Sequence, residues 1–208
     1  MYKKFIKRFL DILISLILLI VFAIPLIICG MIIKHEEKGS MFFRQKRIGL
    51  HKKNFYIYKL RTMRNSTPHN VPTHKFKHPE KYILKCGYWM RKYSIDELPQ
   101  LINVLKGDMS VVGPRPALWN QYDLIVERDK NGANDIKPGV TGWAQVNGRD
   151  KVDIISKAKL DGEYVKRESF IFDVICLLKT FAVVYKHEGV VEGKKCSEIS
   201  LQKTKQPT

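Results

Sequence analysis

The sequence predicts an α+β fold that begins with a membrane segment, and three patterns support this assignment. Phe9–Ile33 is a 25-residue apolar stretch whose only charge is Asp11. Residues 55–61 alternate in the manner of a strand, and the apolar residues of 98–105 recur at helical spacing. A chain of 208 residues with 45% hydrophobic content is long enough for one globular domain plus this segment.

The apolar stretch is long enough to cross a bilayer, since a straight helix of this length measures roughly 37 Å. A cleaved signal peptide is disfavoured because the apolar core is too long and lacks small residues before a cleavage point. Basic residues flank both ends, which favours the cytoplasm for both. Pro25 lies two thirds of the way along and would break the helix. A kinked spanning helix and a re-entrant hairpin are both compatible with these residues.

Two short strands are predicted next, over Met41–Arg44 and Phe55–Arg61, joined by a turn. Period two places Ile57, Lys59 and Arg61 on one face of the second strand, so two cations point the same way. Such a pair can hold a diphosphate. The alternative is an edge strand protected by its charges.

A loop and a short helix are predicted before the next motif. Residues 65–80 have the composition of an exposed loop, and the spacing of their histidines matches no ligand pattern, so we assign them no chemistry. A helix over Tyr82–Arg91 would deliver Arg91 just before a pair of adjacent acids.

Asp96 and Glu97 are the best candidates for chemistry, because they precede an amphipathic helix that Gly107 closes. Free backbone N–H groups and the helix dipole favour negative charge there. We therefore expect Asp96 to stay ionised and a phosphate to be held nearby. The alternative is helix capping, with Asp96 as N-cap or with Ser94 and Glu97 as a capping box.

Arg115 lies between Pro114 and Pro116, which fix the backbone on either side of it. Its guanidinium can therefore be presented to a phosphate with little ordering cost. The alternative is a structural turn in which the arginine pairs with an acid. Residues 138–149 form a further glycine-rich loop that ends at Arg149.

Two helical segments and a tail are predicted for the rest of the chain. Residues 151–168 place Asp161 in a helical setting. Phe170–Tyr185 is apolar but carries Asp173, and it is too short and too charged to span a membrane. It can pack in the core or lie along the lipid headgroups, and its composition favours the headgroups. Residues 189–208 are a polar tail, expected to fray.

The formal net charge of +17 requires acidic partners, such as nucleic acid, anionic lipid headgroups or phosphorylated substrates. No nucleic-acid partner is expected, because no RNA-binding aromatic motif, zinc finger or repeat accompanies the charge. The four cysteines are widely separated and indicate neither a zinc site nor a disulfide framework. A membrane-tethered nucleic-acid-binding protein and a non-catalytic scaffold of a glycan assembly complex are the alternatives to an enzyme.

Motifs along most of the chain carry a family resemblance. They are Phe43, Gln45, Arg47 and Gly49; Tyr58–Met63; Asp96–Leu101; Asn103–Leu105; Gly107–Ser110; Val112–Pro116; and Lys137–Arg149. Together they resemble the bacterial sugar transferase family, the monotopic phosphoglycosyl transferases. A match of this length is specific for the type of reaction and weak for the identity of the sugar.

The resemblance implies a re-entrant anchor over residues 1–38, broken at Pro25, and a small cytosolic α/β catalytic domain with interfacial amphipathic helices over residues 39–188. It implies attachment to the lipid of the bacterial inner membrane, with the catalytic domain on the cytoplasmic face. A homodimer is compatible with the sequence.

The resemblance also implies an activity, the transfer of a sugar 1-phosphate from a UDP-sugar to undecaprenyl phosphate through a covalent aspartyl intermediate, with release of UMP. This would be the first membrane step of a bacterial surface glycan or glycoprotein pathway. Asp96 would be the nucleophile and a Mg²⁺ ligand, and Glu97 would position the metal or the attacking group. Substrate-binding roles would fall to Lys59, Arg61, Arg91, Arg115, Arg149, Asp161 and Asp173. Gly162 and Glu163 replace the bulkier residues usual beside Asp161, which loosens that assignment.

Overall fold

The computed structural model describes residues 2–68, 78, 81–148 and 152–186. Its helices, after a π-helical turn Tyr2–Ile6, are α1 Lys7–Val21, α2 Ala23–Glu36, α3 Lys85–Lys92, α4 Gln100–Lys106, α5 Tyr122–Asp129, α6 Trp143–Val146, α7 Ile154–Arg167 and α8 Phe170–Tyr185. Its strands are β1 Phe42–Ile48, β2 Asn54–Leu60, β3 Ser110–Val112 and β4 Gly139–Thr141. The predicted mixture of helix and strand is confirmed. Most of the histidine-containing loop, Arg149 and the polar tail lie outside the described residues.

Helices α1 and α2 form a bent pair with an angle of 60° between them. They contain 15 and 14 residues, so each is only about 22 Å long, less than the roughly 30 Å of a hydrocarbon core. In the described part of the chain no single helix meets the length and hydropathy of a membrane span, whereas this bent pair does so together. The predicted break is present, but at Phe22. Pro25 instead occupies the first turn of α2, where its missing N–H has no intrahelical partner.

Polar side chains on α1 bond to elements far along the chain. The Arg8 guanidinium donates to two carbonyls at the end of α4, at 2.5 and 2.9 Å, where a cation also complements the helix dipole. The Asp11 carboxylate accepts from the Ser110 hydroxyl at 3.0 Å and from the Val111 N–H at 2.9 Å. The one acid of the apolar stretch is therefore satisfied by β3, and α1 is fixed against α4 and β3.

A second network centres on Asp173 of α8. Its carboxylate accepts from the ammonium group of Lys7, from the Tyr2 hydroxyl at 2.5 Å and from the Tyr164 hydroxyl at 2.6 Å. Lys7, Asp173 and Tyr164 are all buried, and burial of charge is tolerated only with such pairing. Asp173 thus fixes the start of α1 against α7 and α8, and its contacts give no support to the implied role in substrate binding.

The two predicted strands form an antiparallel hairpin, with β1 extending further than expected, to Ile48. Phe43 lies opposite Lys59, so the same face of both strands looks toward the turn that carries the acid pair. Strands β3 and β4 form a separate parallel pair. Their side chains meet those of α7 and α8 in the main core, which contains Val112, Tyr164, Phe172 and Cys176.

Helix α8 has the bounds predicted from the sequence. Its inner face packs Phe172 and Cys176 into the core. Its outer face leaves Ile171, Leu178 and Phe181 exposed to 71%, 64% and 72%. Core packing is therefore confirmed for one face of α8, and the apolar side chains of the other face point outward.

Glu36, the last residue of α2, caps the start of α3. Its carboxylate accepts from the backbone N–H groups of Lys85 at 2.5 Å and Cys86 at 2.9 Å. These are two of the N–H groups that an isolated helix start leaves without partners. The helix expected over 82–91 is thus present as α3 from Lys85, and its position depends on α2.

Arg128 and Asp161 form a buried ion pair between α5 and α7. The guanidinium Nε and Nη2 donate to one carboxylate oxygen at 2.8 and 2.6 Å, and the two residues are 3% and 1% exposed. Burial raises the pKa of Asp161, and Arg128 opposes this effect. Asp161 does not line the cavity described below, although its partner Arg128 does, so any role of Asp161 at the cavity would act through Arg128.

We expect Arg128→Met to lower the free energy of unfolding by about 3–5 kcal/mol, because it leaves the buried Asp161 carboxylate without its partner. Chemical denaturation of the solubilised protein measures this change. Lys130→Met is the matched control. It breaks an exposed pair with Glu127 on the same side of the molecule and should cost no more than about 0.5 kcal/mol. Equal losses in the two variants would contradict the assignment.

Candidate active site

A cavity of about 590 Å³ lies where β2, α3, the acid pair and the proline-flanked corner converge. This volume falls within the range of small-molecule sites. The charged side chains that face it include Arg47, Lys59, Arg91, Asp96, Glu97 and Arg115. Five of these are predicted catalytic or substrate-binding residues, and Arg47 is the one that was not predicted.

The acid pair lies in a one-turn 3₁₀ segment, Ile95–Glu97, ahead of α4. Ser94 opens this turn in the left-handed region with φ of 57°, and α4 starts only at Gln100. No side-chain capping bond is made at either helix start, so the capping alternative for Asp96 and Glu97 is wrong. The tight turn instead directs both carboxylates into the cavity.

Glu97 is held by two cations. The Arg115 guanidinium donates to both of its oxygens at 3.1 and 2.6 Å, and the Lys59 ammonium donates to one at 2.5 Å. Although burial opposes it, the charges of Arg115 and Lys59 hold the pKa of Glu97 well below its usual range. Both readings of Arg115 meet here, because this arginine pairs with an acid and also lines the cavity.

Asp96 is in a different state from its neighbour. It is 8% exposed, and the described hydrogen bonds of the cluster end on Glu97 and not on Asp96. Burial, together with the charge of Glu97, raises the pKa of Asp96 to about 6, while Lys59, Arg91 and Arg115 oppose the rise. This upward shift is opposite to the one expected from a helix start, although a pKa of about 6 still leaves Asp96 mainly ionised at neutral pH.

Arg47 belongs to the site but was not among the predicted site residues. Its guanidinium donates to the Pro116 carbonyl at 3.0 Å and to Gln45 at 2.7 Å, while its buried Nε has no partner among the described residues. Burial, followed by the charge of Arg115, lowers the pKa of Arg47 to about 9. The period-two pattern of β1 would have identified it, since every second residue of this strand faces the cavity, namely Phe43, Gln45 and Arg47.

Asn103 positions the cluster without facing it. This fully buried amide accepts from the Tyr58 N–H at 3.0 Å and donates to the Tyr56 carbonyl at 2.8 Å. It therefore bonds α4 to the open edge of β2, next to Lys59 in sequence. No sequence signal distinguishes this amide from one on a solvated helix face, because its partners are backbone groups of a distant strand.

The other predicted residues have varied positions. Arg91 lines the cavity from α3, and its positive charge opposes the rise in the pKa of Asp96. Arg61 also lines it, but its guanidinium donates to the carbonyls of Glu37 and Lys38 and to Asn65, which secures the segment after α2.

The site offers one carboxylate that could hold a cation together with a substrate phosphate. Within the residues that the structure describes, no group of three His, Cys, Asp or Glu side chains is placed to hold a metal ion. Mg²⁺ is commonly bound by one or two carboxylates together with substrate phosphates. Asp96, the carboxylate not engaged by a cation, is the residue that fits this use.

A cavity with one available carboxylate, one ion-paired carboxylate and several cations has the features of a site that binds phosphorylated groups. Comparison with known sequences agrees. The profile of the family described as bacterial sugar transferase matches residues 2–187. The chain therefore belongs to the bacterial sugar transferase family.

Several curated relatives share this similarity. The chain is 40% identical over 187 residues to an uncharacterized sugar transferase, EpsL, of Bacillus subtilis, covering 88% of this chain and 89% of that protein. It is 36% identical to the undecaprenyl-phosphate galactose phosphotransferase of Salmonella typhimurium, covering 90% of this chain and 42% of that protein. A UDP-glucose:undecaprenyl-phosphate glucose-1-phosphate transferase of Escherichia coli is also 36% identical, with coverage of 83% and 38%. The chain thus spans less than half of these two named phosphotransferases, whose names favour an enzyme over a scaffold.

The contrast between the two carboxyls can be measured with a carbodiimide and an amine, which label protonated carboxyl groups. Because the pKa of Asp96 is raised to about 6, labelling of Asp96 should be several-fold stronger at about pH 5.5 than at about pH 7.5, and Glu97 should be spared. Peptide mass spectrometry locates the label.

Glu97→Gln provides the matched test. It removes the negative charge that raises the pKa of Asp96 and releases Lys59 and Arg115, so Asp96 should lose label at about pH 5.5. The exposed Asp135, far from the cluster, is the internal control and should label equally in both proteins. Unchanged Asp96 labelling in the variant would contradict the proposed coupling.

Proposed function

We propose that this protein transfers a sugar 1-phosphate from a UDP-sugar to a polyprenol phosphate, with release of UMP. The observation that carries the proposal is that the two adjacent acids are paired differently. Glu97 is neutralised by Lys59 and Arg115, whereas Asp96 stays available beside the same cations. Relatives named as undecaprenyl-phosphate sugar phosphotransferases support this choice of reaction.

In the first step an Asp96 carboxylate oxygen attacks the β-phosphorus of the donor. A bond forms between that oxygen and phosphorus, and the bond from phosphorus to the oxygen bridging the two phosphates breaks. UMP leaves with the electron pair, and the sugar phosphate remains esterified to Asp96. Lys59, Arg91, Arg115 and Arg47 supply positive charge around the cavity in which negative charge shifts to the leaving group.

In the second step an oxygen of the polyprenol phosphate attacks the same phosphorus. The acyl phosphate bond breaks, the Asp96 carboxylate is regenerated, and a polyprenyl diphosphate sugar is released. Mg²⁺ held by Asp96 and the donor phosphates would offset the charge of the diphosphate. The overall reaction therefore needs a donor from water and an acceptor from lipid.

We propose that the bent pair α1–α2 meets this need as a re-entrant anchor in the bacterial inner membrane, with the catalytic residues on the cytoplasmic face. Support comes from the short length of each helix and from the basic residues at both ends of the pair. Outward-facing apolar side chains on α1, α2 and α8 would contact lipid. The reaction would be the entry step of a surface glycan or glycoprotein pathway.

The test is UMP release by the purified full chain from a panel of UDP-sugars, with and without polyprenol phosphate. With donor alone, mass spectrometry should find the sugar phosphate on the peptide that contains Asp96. Asp96→Asn should abolish this adduct and lower turnover by at least about a thousandfold, because the amide is no nucleophile. The variant should stay folded, since it removes a like charge beside Glu97.

Asp123→Asn is the control, because Asp123 is an exposed acid on α5 that does not line the cavity, and full activity is expected. An unmodified Asp96 peptide, or kinetics that require both substrates bound together, would overturn the covalent scheme.

A further inference from the structure

Part of the cavity lining is an apolar cleft formed by residues of α1, α8 and β4. These are Leu18 and Phe22 of α1, Leu177, Phe181 and Val184 of α8, and Val140 of β4. None of these side chains can contribute to binding a diphosphate. The apolar cleft therefore needs a different occupant from the cationic end.

The two walls belong to elements whose outer faces are apolar. On α1, Ile17 and Ile20 are exposed beside the cavity-lining Leu18, and on α8, Leu178 is exposed beside Leu177. Phe181 lines the cleft and is also 72% exposed, so the cleft reaches the outer apolar face of α8. An exposed apolar surface of this extent marks a site for lipid or for an apolar partner.

The polarity of the cavity matches an amphiphile with one phosphate. The charged lining includes Lys59, Arg91 and Arg115 around Asp96, while α1 and α8 supply the apolar lining. Thr180, the hydroxyl residue that α8 contributes to the described lining, is already engaged, because it donates to the Cys176 carbonyl at 2.7 Å and lies 2.7 Å from the Thr141 hydroxyl. One cavity is therefore lined by both the apolar cleft and the Asp96 carboxylate.

We propose that the α1–α8 cleft binds the isoprenoid chain of the lipid acceptor, so that its phosphate reaches Asp96 from the side of Leu18 and Phe22. This inference rests on the proposed function and extends it by assigning residues to the acceptor tail. The isoprenoid chain leaves the bilayer only in part when it binds. The affinity therefore depends less on the total apolar area of the chain than on the position in which the cleft holds it. A phospholipid acyl chain is the competing occupant, and the experiment discriminates against it.

The cleft can be filled from either wall by a small-to-large change. Val184→Trp and Leu18→Trp each place a large ring in the path, whereas Ala182→Trp and Ile17→Trp place the same ring on exposed neighbouring positions. Two walls are used so that one poorly folded variant leaves the other as a test. The readout is the ratio of kcat/KM for a long polyprenol phosphate to that for a prenyl phosphate of a few isoprene units.

We expect this ratio to fall about tenfold in Val184→Trp and Leu18→Trp, the size of effect that apolar pockets give for small steric changes. Ala182→Trp and Ile17→Trp should leave the ratio at the wild-type value. Equal loss of activity with long and short acceptors, or an unchanged ratio in both cleft variants, would overturn the proposal.

A binding measurement separates this inference from the proposed chemistry. A polyprenol phosphate that carries a photoreactive diazirine on its chain should label peptides containing residues 18–22 and 177–184 of the wild-type protein, whether or not turnover occurs. Unlabelled polyprenol phosphate should compete, and phosphatidylglycerol should not. Labelling elsewhere, or equal competition by phosphatidylglycerol, would overturn the tail site, whereas absence of UMP release from donor alone would overturn only the proposed reaction.

Discussion

The ion pairs of Glu97 are the interaction on which the site depends. They join three segments that are distant in sequence, namely β2 through Lys59, the 3₁₀ turn through Glu97 itself and the proline-flanked corner through Arg115. A buried carboxylate without such partners would be strongly unfavourable, so the cations that the site needs are also the cations that allow it to fold. Because Glu97 takes up the charges of Lys59 and Arg115, no described ion pair ends on Asp96, and burial, together with the charge of Glu97, raises its pKa.

Local patterns in the sequence were enough to predict much of the fold. The period-two pattern of β2, the helical spacing after the acid pair and the apolar run of α8 each depend on neighbours within one element, and each is present. The acid pair and Arg115 were found because unusual residue types occur at close spacing. The predicted position of the break in the N-terminal helices was three residues too late. A helix tolerates proline in its first turn, so Pro25 need not mark the break itself.

Long-range contacts were beyond the sequence. The family resemblance implied substrate-binding roles for Asp161 and Asp173, and in the folded chain these acids pair with Arg128 and Lys7. Asn103 was noted only as part of a motif, since its partners are backbone atoms of β2. For these three residues the deciding factor was the identity of a partner in another part of the chain. Arg47 differs from them, because the period-two pattern of β1 alone places it on the face that lines the cavity.

The polar contacts of α1 have a consequence for how the protein is made. Arg8, Asp11 and Lys7 find their partners 96, 100 and 166 residues further along the chain. Helix α1 therefore cannot complete its polar contacts until the chain has been synthesised as far as Asp173, whose carboxylate pairs with Lys7. Folding of the domain thus requires α1 to wait for segments that are made much later.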